Sequence, residues 1–148
     1  MARCVVVYTG ESRISAATIT GVLDAYGAGE PRVSRALARM GELAAAMCDA
    51  LARGDVDALG ALVGEHWAHQ RTLHAQIPTA RIDAIVAAAA RAGALGAKAL
   101  GASGGGCVLA IAAAGREAEL RTALAVLGEP VAVAIDVEGV RVGLSLPA

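Results

Sequence analysis

The sequence predicts an α+β fold: a four-stranded, mostly antiparallel sheet with helices on one face. Three observations carry that expectation. Strand-like runs stand near both ends of the chain, at Cys4–Tyr8 and in the alternating stretch from Val131 to Leu146. Between them, apolar residues recur at helical spacing from Ala16 to Ala92. A glycine-rich run, Gly101-Ala-Ser-Gly-Gly-Gly106, then joins a helical pattern to a second apolar strand, Cys107–Ala112.

Each element has a local reason. Cys4–Tyr8 is a β-branched run stopped by Thr9-Gly10, which reads as a buried strand. Ser12 or Ser15 is placed to cap a helix from Ala16 to about Ala25. Pro31 suits the first turn of a second helix, reaching about Arg53, with Val33, Leu37, Met40, Leu43, Ala44 and Met47 inward. A third helix is expected from Val56 to about Ala75, with Leu59, Leu62, Val63, His66, Gln70 and Leu73 on one face and Trp67 at its edge. Ile77-Pro78 breaks it, and Thr79 is placed to cap a fourth helix, Arg81–Ala92, closed by Gly93. A fifth helix is expected at Arg116–Leu127. Pro130 then opens a hairpin of Val131–Val137 and Val140–Leu146, turning at Glu138-Gly139.

The 148 residues suit one domain. Hydrophobic residues make up 56% of them, but 37 of the 148 are Ala, there is no Phe, and Trp occurs once. Such a core is built from closely spaced helices, and Ala favours helix. The net charge of −1 supplies no field for nucleic acid. No charge-free apolar segment is long enough to span a membrane. Cys4, Cys48 and Cys107 form an odd set in apolar settings, so buried reduced thiols and a cytoplasmic location are expected. His66, His69 and His74 spread over a wide arc of helix without a carboxylate or Cys at ligand spacing, so no metal site is expected. No Gly-x-Ser-x-Gly elbow is present.

The glycine run is not a Walker A or dinucleotide loop. Those run strand, loop, helix, whereas here the expected order is helix, loop, strand. Its glycines let backbone approach backbone, or let amides approach an anion with Lys98 close by.

Gly93-Ala-Leu-Gly-Ala-Lys98-Ala-Leu-Gly-Ala-Ser-Gly-Gly-Gly106 resembles the third motif of the GHMP kinases, Gly-Ala-x-Gly-x-Lys-x-x-Gly-Ala-Gly-Gly-Gly-Gly followed by a strand. It departs at Ser103, and a positive φ there would strain a serine. Val5 to Ser15, with its Tyr8-Thr9-Gly10 and Arg13, and Leu59 to Arg71, with its Trp67 and Arg71, look like the heptose 7-phosphate and sugar-1-kinase branch.

The resemblance implies a ferredoxin-like GHMP kinase C-terminal domain over residues 1–148, the C-terminal half of an ATP-dependent heptose or hexose phosphate kinase. On that reading the N-terminal nucleotide-binding domain is absent, so ATP and Mg2+ belong to the complete kinase, and the chain is inactive without a separate N-terminal partner. The substrate- or phosphate-binding residues implied are Lys98, Gly101, Ala102, Ser103, Gly104, Gly105, Gly106, Arg13, Trp67 and Arg71, with no catalytic residue and no metal ligand. The small molecule expected is a sugar phosphate. The alternative is a non-catalytic ligand-binding or homodimerisation module derived from that domain.

Overall fold

A computed structural model describes residues 3–11, 16–134 and 138–139. Its elements are β1 (Cys4–Tyr8), α1 (Ala16–Gly27), α2 (Pro31–Ala52), α3 (Val56–Gln70), α4 (Ala80–Arg91), β2 (Ala94–Ala99), β3 (Cys107–Ala112), α5 (Glu117–Ala125) and β4 (Glu129–Val131). The sheet has four strands in the order β2-β3-β1-β4, and every pair is antiparallel.

Alternation divides the sheet faces. Val5 and Val7 pair with Ala110 and Val108, which pair with Ala97 and Ala99, so these residues share one face. Ile82 and Ile85 of α4 and Leu120 and Leu124 of α5 close over that face, each fully buried. Burying each such side chain contributes about 1.5–3 kcal/mol. Thr79 caps α4, its hydroxyl accepting from Ile82 N at 3.2 Å.

The helix α3 takes a different position. It lies along α2 on one side and against the outer strand β2 on the other. Its buried residues are Gly60, Val63, Trp67 and Gln70. Gly60 meets Leu95 and Ile111, while Trp67 enters the core with Ala97, so α3 passes round the β2 edge from one face to the other. That covers an edge that would otherwise present unpaired backbone groups.

Several expectations are corrected. The buried stripe of α3 is turned from the one predicted: Trp67 is 3% exposed and His66 stands at the margin. Helix α3 stops at Gln70, not near Ala75, and Leu73 and Ile77 are buried in the connection that follows. Ala94–Ala99 is a strand, so the glycine run joins strand to strand. Alanine-rich composition hides this segment, because four of its six residues are Ala or Gly, which carry no strand signature. Of the C-terminal hairpin, Glu129–Val131 is a strand and 132–134 are exposed and outside any strand; 135–137 and 140–148 lie outside the described residues. Ala44 and Cys48 are exposed on α2, and Cys4 and Cys107 are half-buried; all three thiols are free.

Candidate functional site

The loop of residues 101–106 closes the β2–β3 hairpin, with Leu100 N donating to Cys107 O at 2.9 Å. Its path needs positive φ at Gly101 (63°), Ser103 (65°), Gly104 (78°), Gly105 (142°) and Gly106 (76°). Ser103 therefore sits in the left-handed region, which costs a non-glycine residue of order 1 kcal/mol or more. Its buried hydroxyl offsets that by donating to Ile77 O at 2.8 Å.

Three segments meet around this loop. Gly104 N donates to the same Ile77 carbonyl at 3.0 Å. Gly106 N donates to Glu11 O at 2.8 Å, and Thr9 N donates to Gly106 O at 2.9 Å. A Cβ on Gly105 would stand 2.8 Å from Glu11 O, so only glycine fits there. The Thr79 hydroxyl, already the α4 cap, donates to Glu11 Oε2 at 3.2 Å. Segments 9–11, 77–79 and 101–106 thus form one bonded unit beside the α4 N-terminus. The amides of Gly104 and Gly106 are engaged within that unit and are not offered to an anion.

The open end of the loop is Gly101 and Ala102. Gln70, the last residue of α3, donates from Nε2 to Gly101 O at 3.0 Å. Gln70 is 6% exposed, and its Oε1 is buried without a hydrogen-bond partner among the described residues. Beside it lies a cavity of about 210 Å3, between α1, α2, the end of α3 and the loop.

The structure separates the other candidate residues. Lys98 lies on the face of β2 opposite Ala97 and Ala99, half-buried, with Nζ 3.1 Å from His66 Nδ1. Burial pushes the Lys98 ammonium down from its ordinary value. Burial also pushes the His66 imidazole down, with Lys98 and then His69 adding to it. The geometry makes His66 Nδ1 the acceptor of an ammonium proton, which a neutral ring provides. Arg71 donates to both Asp83 oxygens, at 2.9 and 3.1 Å, and its guanidinium lies 5.8 Å from the Trp67 ring centroid. Trp67 and Arg71 therefore tie α3 to α4, and the Trp67 indole is enclosed in the core. Arg13 lies outside the described residues.

Glu11, Gln70 and Ile77 belong to the site and were not singled out for it from sequence. One signal was available for Gln70, an uncharged polar residue on an otherwise apolar helix face. Ile77 contributes only a carbonyl, and residue type says nothing about that.

The fold and its glycine hairpin define an α+β domain with a four-stranded antiparallel sheet and a bonded β2–β3 loop. The family profile "GHMP kinases C terminal" matches residues 43–128, and the chain belongs to that family. Among curated proteins it is similar to mevalonate kinase from Thermococcus onnurineus, 42% identical over 72 residues, which are 48% of this chain and 21% of that protein. Mevalonate kinase from Pyrococcus abyssi is 42% identical over 67 residues, 45% of this chain and 20% of that protein. The match thus spans about a fifth of these relatives. Among solved structures, L. major mevalonate kinase in complex with R-mevalonate aligns with a TM-score of 0.74 at 26% identity, covering 83% of this chain and 37% of that one. Streptococcus pneumoniae phosphomevalonate kinase shares the fold, with a TM-score of 0.70 at 20% identity over 87% of this chain and 38% of that one. These relatives are mevalonate and phosphomevalonate kinases, whereas the sequence motifs pointed to the heptose phosphate branch.

Proposed function

We propose that this domain serves an ATP-dependent kinase as one wall of the acceptor site, with the hairpin loop 101–106 as a fixed closing element. Phosphoryl transfer rests mainly on positioning and on neutralising charge. The described residues supply positioning: the loop is bonded to Glu11, Ile77 and Gln70, so its open end stays fixed. Among the described residues no three His, Cys, Asp or Glu gather in one place. ATP and magnesium would be held mostly by the remainder of a complete kinase. The observation that carries this reading is the bonded glycine hairpin within a GHMP C-terminal domain.

Mevalonate is the first acceptor to test, because the curated relatives at 42% identity are mevalonate kinases. A heptose or hexose phosphate is the second, suggested by Tyr8-Thr9-Gly10 and by the Trp67–Arg71 helix. Burial of Trp67 weakens the part of that case resting on Trp67, since an enclosed indole reads as core packing. A purely non-catalytic module is the less favoured reading.

The pure chain, incubated with ATP, magnesium and either acceptor, is expected to show no turnover. A chain carrying the nucleotide-binding half is expected to restore it. Turnover by the pure chain would refute the dependence on a second half, and a reconstituted pair inactive on both acceptors would refute the acceptor assignment.

A further inference from the structure

The cavity beside the glycine loop has a composition of its own. Ile19, Val22 and Leu23 of α1, Met40 of α2, and Leu73 and Ile77 beyond α3 supply its walls. No charged side chain is among its described lining residues. An apolar site of this kind penalises a charged guest and accepts an aliphatic one. Gln70, the buried Thr18 of α1 and the loop residues Gly101 and Ala102 complete the lining.

Gln70 provides the second, independent observation. Its amide is held by the Nε2 bond to Gly101 O, which leaves Oε1 buried and unpartnered among the described residues. A buried acceptor without a donor is destabilising, so such groups are normally satisfied by water or a ligand. The carbonyl oxygen can only accept, so its missing partner is a donor.

We propose that this cavity is a binding subsite for an uncharged, branched aliphatic molecule bearing one hydroxyl or amide donor, which pairs with Gln70 Oε1. An apolar cavity of about 150 Å3 takes benzene. The cavity here, about 210 Å3, suits a molecule of about six heavy atoms. Because Gln70 also holds Gly101, the occupant is coupled directly to the open end of the loop. The subsite requires neither ATP nor a second polypeptide, so it stands or falls separately from the kinase reading.

The experiment is an NMR titration of the isotope-labelled 148-residue chain with 3-methylbutan-1-ol. Its methyl ether, which lacks a donor, and 3-methylbutanoate, which is charged, are the controls. The alcohol is expected to give saturable shifts at the Gly101 and Ala102 amides. The ether should bind about fivefold more weakly, the worth of one neutral hydrogen bond, and the carboxylate should give no saturable shift. Val22→Trp, which fills the cavity, should abolish alcohol binding. Gln70→Met should bring alcohol and ether to equal affinity. If either variant fails to fold, the alcohol–ether comparison on the unaltered chain decides. Absence of saturable shifts, or equal binding of alcohol and ether by the unaltered chain, overturns the proposal.

Discussion

Gly60, Gly64 and Gly96 stand where α3 meets β2, and Gly101, Gly104, Gly105 and Gly106 stand in the hairpin that β2 enters. The first group has no positive φ, while every member of the second has one. At the crossing, glycine is needed for what it lacks: a Cβ on Gly96 would lie 2.0 Å from Gly60 O and 2.7 Å from Gly64 N. In the loop, glycine is needed chiefly for the angles it permits: Gly101 and Gly106 have open space around them, while Gly105 is also hemmed in by Glu11. The two groups of glycines therefore serve different physical ends. One sets how closely a helix can approach a strand. The other sets the course of a loop whose amides bond to its neighbours.

The sharpest way to break this contrast is Gly96→Ala. Two backbone atoms of α3 occupy the space of the new methyl, and neither can move without shifting the helix. A loss of about 3 kcal/mol or more is expected, beyond the usual range for overpacking. Denaturant unfolding followed by circular dichroism measures it. A loss below about 1 kcal/mol would mean that α3 does not press on β2 as described.

Gly105→Ala comes next. It combines a φ of 142° with a contact of 2.8 Å to Glu11 O, so the loop must leave its bonds to Glu11. The expected cost is about 1–3 kcal/mol. Amide exchange at Gly106 and Thr9 should rise, while the α3–β2 region keeps its protection. Equal loss of protection in both regions would show that the two glycine groups act as one unit.

The strand–helix alternation, the Thr79 cap, the Pro31 start and the positions of β1 and β3 were legible in the sequence. They depend on residue types with strong local preferences. Strand β2 was not legible, because Ala-Leu-Gly-Ala-Lys-Ala carries neither β-branching nor a clear polar alternation. Its strand state comes from pairing with β3 and from the approach of α3. The register of α3 was missed for the same reason: Gly60 is buried there, and glycine adds nothing to an apolar periodicity. For the site, Ser103 was correctly marked as a strain position, since only its backbone angle was at issue. The partner that offsets the strain, the carbonyl of Ile77, lies far away in sequence and is a main-chain atom.

Ser103 sharpens the comparison on a smaller scale. Ser103→Ala keeps the φ of 65° and loses the bond to Ile77 O, so about 1 kcal/mol of stability should go. Ser103→Gly loses the same bond but relieves the strain, and is expected within about 0.5 kcal/mol of the unaltered chain. If both variants were equally destabilised, the hydroxyl bond alone would account for Ser103 and strain would play no part.

The last contrast concerns charge, and it lies with the strand–helix crossing. His66 is half-buried on α3, with Lys98 of β2 bonded to its Nδ1 at 3.1 Å and His69 and Glu65 beside it on the helix. Its imidazole titrates below the ordinary value of 6.5, first through burial and then through Lys98 and His69. The unfolded chain then binds the proton more readily than the folded one. Stability should therefore fall as pH drops below 6.5 through the lowered value, and stay level above it as far as His66 is concerned. His66→Gln should flatten that slope. Lys98→Met should raise the His66 midpoint only part of the way back, because burial, the larger cause, remains. An NMR titration of the His66 ring reads the midpoint directly. A midpoint at or above 6.5 in the unaltered chain would mean that His66 is neither as buried nor as close to the ammonium as the α3–β2 crossing requires.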